Sequence, residues 1–201
     1  MVNGRLYIQI GDVTGHGIQA ALVTASVAGA ITSTYKLFSQ MRQSTLEANT
    51  RLLLESADEA VAMSGRNGGP VMTMAFIGVD LKTGEGIYLN AAHVPVLLIH
   101  GDGVHSLLAA GAYLGSLGTP GLQRFNFGVN DALFLFTDGL TENCQRFGKR
   151  FSMSELKKII RSNSGCQNIK DAMIHLYDEK MAEENGDDDV TFLVVRRKQA
   201  A

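Results

Sequence analysis

The feature that most constrains this chain is a change of hydrophobic period across a glycine-rich turn near its start. Leu6, Ile8 and Ile10 alternate with Tyr7 and Gln9, the two-residue period of a half-buried strand. The turn Gly11-Asp12-Val13-Thr14-Gly15-His16-Gly17 follows, and from Ile18 the residues Leu22, Ala25, Ala28, Ile31, Tyr35 and Phe38 recur every three or four positions. A strand must therefore hand over directly to a long helix, whose Ala, Ser and Gly content implies close packing on a neighbour. The glycines let backbone and carboxylate come close to an ion, and the helix N-terminus adds a positive end that also suits a phosphate.

A second helix is expected from the capping box Ser44-x-x-Glu47, through Leu46, Leu53, Ala57, Ala60 and Val61, to a loop at Gly65 to Pro70. Apolar, β-rich runs then appear at Val71 to Val79, Ile87 to Ala91, Val94 to Ile99 and Ala132 to Thr137, punctuated by Lys82-Thr83-Gly84 and Gly101-Asp102-Gly103. Another capping box, Ser152-x-x-Glu155, opens a short helix. Ile169, Met173, Leu176, Tyr177 and Met181 mark one face of the next, and Val190 to Val195 reads as a closing strand. Helices segregated from strands predict an α+β layered fold with largely antiparallel sheets, rather than a doubly wound one.

Bulk properties exclude some functions. With 201 residues and 45% apolar side chains the chain is expected to form one domain, 1–201. Eighteen basic against twenty acidic side chains leave a charge of −2, which predicts no general attraction to nucleic acid or anionic membrane. No apolar run nears the roughly 20 residues that span a bilayer, and the first residues lack a signal-peptide layout, so a cytoplasmic protein is expected. Cys144 and Cys166 lack CxxC spacing and read as free thiols.

Acidic residues stand where strands meet turns: Asp12 after Ile10, Asp138 after Leu133 to Phe136, Asp187 to Asp189 before Val190, and Asp102 in a hairpin tip. Each alone is ordinary turn chemistry. Together they supply oxygen ligands for a hard divalent cation, Mg²⁺ or Mn²⁺, while the His/Cys sets that suit zinc are absent.

Four motifs occur in order: Gly11-Asp12-Val13-Thr14-Gly15-His16-Gly17, Asn90-Ala91-Ala92-His93-Val94-Pro95, Thr137-Asp138-Gly139-Leu140-Thr141-Glu142 and Asp188-Asp189-Val190-Thr191. In this the chain, from about Arg5 to Val195, resembles the stage II sporulation protein E family, a bacterial branch of the PPM (type 2C) metal-dependent serine/threonine phosphatases. The resemblance implies a β-sandwich of two antiparallel sheets flanked by helices in α/β/β/α layers. It implies hydrolysis of phosphoserine or phosphothreonine without a covalent phosphoenzyme, by water activated by two Mn²⁺ or Mg²⁺ ions. Asp12 is then the carboxylate bridging the metals, the Val13 carbonyl a further ligand, Asp138 a ligand of the second metal and Asp188 the terminal metal aspartate. His16, Gly139 and Asp189 are their neighbours, and Asp187 is a solvated bystander. The implied substrate is a phosphorylated regulatory protein of a bacterial partner-switching pathway, such as an anti-sigma-factor antagonist.

Other roles are set by the residue types. His16 either donates a hydrogen bond near the metals or fixes the glycine turn, and His93 reads as a buried structural histidine rather than a general acid. Glu142 is expected to cap or solvate its loop. Arg146, Lys149 and Arg150 read as a wet surface facing, at most, an acidic substrate. The family pattern also has a metal aspartate in a Gly-Gly-Asp element, on a strand preceding the one at Arg5. Asn3-Gly4, a hairpin signal with only Met1 and Val2 before it, is consistent with a domain lacking its first strand or strands. The exposed sheet edge can be covered by a shifted terminus or by pairing with a second copy as a homodimer. The alternative function is a degenerate, non-catalytic phosphatase-like binding module.

Overall fold

The computed structural model describes residues 2–38, 40–41, 44–64, 69–116, 118–142, 152–163, 165–181 and 189–199. The switch of period is real: β1 spans Arg5–Val13 and α1 spans Ile18–Phe38, separated by the glycine turn. The Asn3-Gly4 signal is also real. Both residues take left-handed backbone, φ 52° and 74°, and Val2 and Arg5 exchange two 3.0 Å backbone hydrogen bonds across the turn. Val2 is therefore paired, as a two-residue turn of the primed type requires.

After α2 (Leu46–Ser64) come β2 (Met72–Asp80), β3 (Glu85–Ala91), β4 (Leu97–His100), β5 (Gly103–Ser106), β6 (Gly121–Asn126) and β7 (Ala132–Phe136). The short α3 (Gly139–Glu142), α4 (Met153–Ser162), α5 (Cys166–Met181) and β8 (Phe192–Arg196) complete the order. The strands form two four-stranded antiparallel sheets, β1-β2-β3-β6 and β5-β4-β7-β8, so the α+β, antiparallel expectation holds. The chain divides into two compact units, Met1–His93 with Leu108–Phe127, and Val94–Leu107 with Gly128–Ala201. β5 and β6 escape sequence reading. β5 is four residues long, and β6 alternates between half-buried and exposed residues with Gln123, Arg124 and Asn126 among its six, so neither shows an apolar run.

In the first unit α1 and α2 cover one face of β1-β2-β3. Leu53, Ala57, Val61, Phe76, Ile87 and Leu89 are fully or nearly fully buried there. Tyr7 of β1 meets Tyr35 and Phe38 of α1 with ring centroids 5.9 and 5.3 Å away. The face of α1 differs from expectation. Ala20, Val23, Val27, Ile31, Thr34 and Phe38 are buried, whereas Ile18 and Leu22 are 80% and 61% exposed. Apart from Gln19, the exposed side is as apolar or small as the buried one up to Lys36, so spacing alone could not choose between them.

The cap of α2 also moves by one residue. Thr45, not Ser44, takes the Ala48 amide on its hydroxyl at 3.1 Å. That shift buries Leu46 and leaves Glu47 free to pair with Arg51 and with Arg124 of β6. At the β2–β3 turn the Asp80 carboxylate accepts from the Lys82 and Thr83 amides at 2.9 and 3.1 Å. The Thr83 amide above all holds this carboxyl below the usual carboxylate range. Its stabilisation is thus present above the ordinary carboxylate pKa and fades as pH falls through the lowered value.

Gly29 sits on the exposed side of α1 with nothing within 4 Å of where a Cβ would stand. Gly29→Ala should therefore stabilise the protein by about 0.5–1 kcal/mol through helix propensity and a less free unfolded chain. A urea midpoint that fell instead would show that this face of α1 is covered.

The second unit packs α4 and α5 on β4, β5, β7 and β8. Leu97, Phe134, Leu156, Ile160, Ile169 and Met173 form its core, and Phe134 stacks on Phe192 at 5.9 Å. Ser152 and Glu155 make the expected reciprocal capping box at the start of α4. Ile169 and Met173 of α5 face inward as predicted, while the side chains of Leu176, Tyr177 and Met181 lie outside the described residues. No helix is long and apolar enough to cross a membrane among the described residues.

Candidate metal centre

In the first unit, Asp12 and Val13 are the last residues of β1, in register with Thr73 and Met72 of β2. Gly11 is required by space: a Cβ there would lie 2.8 Å from the Met72 methyl and 2.9 Å from the Thr73 carbonyl oxygen. Past Val13, Thr14 fastens the turn to Val71. Its amide donates to the Val71 carbonyl at 2.9 Å, and its hydroxyl accepts from the Val71 amide at 3.0 Å. Gly15 and Gly17 both have φ 83°, the left-handed backbone that lets the chain reverse into α1. Asp12 is thus held at a strand end, half-buried, with Val13 partly buried against the core and His16 exposed on the turn.

One strand away, His93 Nδ1 is 3.0 Å from the Thr73 hydroxyl. The Asn90 side chain closes the turn that places this histidine, accepting from the His93 amide at 2.8 Å and donating to the His93 carbonyl at 3.0 Å. It also donates to the Ala109 carbonyl at 2.8 Å. His93 is buried, at 6% exposure, as the structural reading expected. Thr73 carries no motif, and its role beside Asp12 comes only from strand register.

In the second unit, Asp138 stands two residues past the end of β7. Thr137 before it is buried, and its hydroxyl donates to the Asp189 carbonyl at 3.2 Å and accepts from the Thr191 amide at 3.0 Å. The Thr137 amide donates to the Thr191 carbonyl at 2.9 Å. One side chain therefore clamps the segment from Asp189 to Thr191 against the approach to Asp138. Beyond it, the Thr141 amide and hydroxyl donate to the Asp138 carbonyl at 2.8 and 3.0 Å, closing α3, which opens at buried Gly139. The Asp138 carbonyl is satisfied, but one carboxylate oxygen is not: Asp138 Oδ1 is buried without a hydrogen-bond partner among the described residues. A buried, unpaired carboxylate oxygen is costly unless a cation completes it.

Thr137→Val keeps the shape and removes the hydroxyl, leaving the Thr191 amide without its side-chain acceptor. It should cost about 2 kcal/mol in chemical denaturation, and Thr137→Ser much less. Equal losses for both would mean that the methyl packing, not the hydroxyl, matters.

Of the residues picked from sequence, Asp12, Val13 and His16 stand together in the first unit, and Asp138, Gly139 and Asp189 in the second. Asp188, Asp187, Arg146, Lys149, Arg150 and Cys144 lie outside the described residues, as do the side chains of Glu142 and Cys166. Among the described residues no three His, Cys, Asp or Glu side chains form a metal-holding group. The donors at both strand ends are carboxylate and backbone oxygens, the set preferred by Mg²⁺ and Mn²⁺, and the orphaned Asp138 oxygen fits such an ion. Asp102 belongs elsewhere, at the exposed tip between β4 and β5.

A family model described as stage II sporulation protein E matches residues 3–198. Among solved structures, the RsbU and RsbW domains of Rv1364c from Mycobacterium tuberculosis superpose with a TM-score of 0.76 at 25% identity, covering 98% of this chain and 55% of that one. The PP2C phosphatase domain of SpoIIE from Bacillus subtilis, with a fragment of its regulatory domain, gives 0.70 at 15% identity, over 100% and 60% of the two chains. The catalytic domain of the serine threonine protein phosphatase PstP, in complex with two manganese ions, gives 0.70 at 13% identity, over 94% and 86%. The fold is that of PP2C-type domains, and this chain spans little more than half of the first of these structures.

Proposed function

Because the chain belongs to the stage II sporulation protein E family, we propose that it is a metal-dependent phosphatase that hydrolyses phosphoserine or phosphothreonine on a regulatory protein. The observation that carries this reading is the buried Asp138 oxygen, without a hydrogen-bond donor among the described residues, at a strand end built to hold it still. Asp12, the Val13 carbonyl, Asp138 and Asp188 would hold Mn²⁺ or Mg²⁺, two ions as in the PstP structure, with His16, Gly139 and Asp189 beside them. Bound ions supply Lewis-acid activation of water and neutralise charge on the phosphoryl group.

The protein's own residues do the positioning. Thr14 and the Gly15 to Gly17 turn fix the Asp12 strand end. Thr137 fixes the Asp138 strand end and its neighbour Asp189. The buried His93, held by Asn90 and Thr73, serves as a rigid support beside Asp12. Pre-set ligands of this kind need no reorganisation when charge develops.

The company of similar domains supports the proposed substrate class: one matched chain carries an RsbW domain beside its RsbU domain. A small phosphorylated regulator of a partner-switching pathway, such as an anti-sigma-factor antagonist, is therefore the proposed substrate. The test is Mn²⁺-dependent phosphate release from a phosphoserine protein of that class and from p-nitrophenyl phosphate. Turnover that disappears with EDTA and returns with Mn²⁺ supports the phosphatase. Binding of the phosphoprotein without turnover under any metal would replace it by the non-catalytic binding module.

A further inference from the structure

The second unit contains a cavity of about 100 Å³ at the end of β7 opposite Asp138. Ala132, which opens β7, lies there in register with Arg196 of β8. Roughly 13 Å of strand separate Ala132 from Phe136, and Asp138 lies farther still. Ile160 and Ile169, 2% and 3% exposed, form part of its wall.

Two arginines line this cavity: Arg161 in the last turn of α4 and Arg196 at the end of β8. Neither guanidinium has an ion pair or hydrogen bond among the described residues. Arg196 Nη1 lies 3.8 Å from where a Cβ on Gly165 would stand, which places it over the junction between α4 and α5. Asn130, held by its amide to the Arg197 carbonyl at 2.8 Å, adds a side-chain amide to the lining. Asp102 is the acid in the lining, so the lining holds two arginines and one carboxylate.

Guanidinium groups present a planar fork of donors that matches the oxygens of phosphate and carboxylate. The volume is far below the roughly 300–1,000 Å³ of sites that take cofactors or drug-sized ligands, and it suits one compact group. We propose that this cavity is a second, non-catalytic anion site, which holds a single phosphate or carboxylate group between Arg161 and Arg196. The anion is either free in solution or carried on a protein side chain. The site is independent of the metal centre, so the phosphatase reading can fail without it.

The test is a titration of the protein in EDTA, followed by backbone amide shifts, with inorganic phosphate in one arm and a short phosphoserine peptide in the other. Saturable shifts around Ala132, Gly165 and Ile169 are expected. Arg161→Gln and Arg196→Gln should each weaken binding about three- to tenfold, as expected for exposed charge-assisted hydrogen bonds. Asp102→Asn should tighten it about twofold or more by removing a like charge. Tighter binding of the peptide assigns the site to a protein-borne group, and equal or tighter binding of phosphate assigns it to the free anion. Affinity unchanged in the double arginine variant, weakened by Asp102→Asn, or shifts confined to other regions would overturn the site.

Discussion

Asp138→Asn is expected to lower Mn²⁺-dependent phosphate release by at least about a hundredfold, because loss of outer-shell partners alone costs roughly ten- to a hundredfold in metal sites. The same change should make the metal-free protein more stable, by about 1 kcal/mol. Asp138 Oδ1 is buried with no donor among the described residues, so neutralising the group removes a desolvation cost that none of them repays. Thermal melts in EDTA and in Mn²⁺ read both effects. The wild type should gain markedly from Mn²⁺ and the variant little, with the two curves crossing as metal is added. A variant less stable than wild type in EDTA would make Asp138 a structural acid, and one that still turned over would remove it from the metal site.

Gly111→Ala is expected to be strongly damaging, at about 3 kcal/mol, the upper end for overpacked sites. A Cβ on Gly111 would fall inside contact distance of the Asn90 carbonyl oxygen and the Gly121 amide, and 2.9 Å from the Pro120 carbonyl carbon. All three are backbone, so no side chain can swing aside. Asn90 and Gly121 are themselves paired in register between β3 and β6, and the Asn90 side chain holds the His93 turn. The melting temperature should fall by about 6–12 °C. A loss no larger than about 1 kcal/mol would mean that the segment around Gly111 slides freely over β3.

Much of this fold was legible because its strands and helices announce themselves differently. The solid apolar run Leu133 to Phe136 and the box Ser152 to Glu155 each have one physical reading, and each formed as read. The alternation at Leu6, Ile8 and Ile10 formed its strand, but not a half-buried one: Tyr7, on the other side, is buried against the helices, while Leu6 is only partly buried. α1 failed where two readings had equal chemistry: Leu22 and Val23 are both aliphatic, yet the first is exposed and the second buried. Thr45 displaced Ser44 as a cap because the burial of Leu46, which sequence cannot weigh, settled the choice. At the site, aspartates beside strand ends were visible as motifs. The hydroxyls of Thr73 and Thr137, which act through strand register with partners 20 and 52 residues away, were not.

The Thr137 clamp also sets an order of events during synthesis. Its partners, Asp189 and Thr191, are made more than fifty residues after it, and β8 closes on β7 across that same interval. Closing so long a loop carries an entropic cost and slows formation of the contact. A chain still on the ribosome can hold Asp12 at its strand end while Asp138 stays unsupported. Support for the Asp138 strand end therefore arrives only once β8 has been made and has closed on β7.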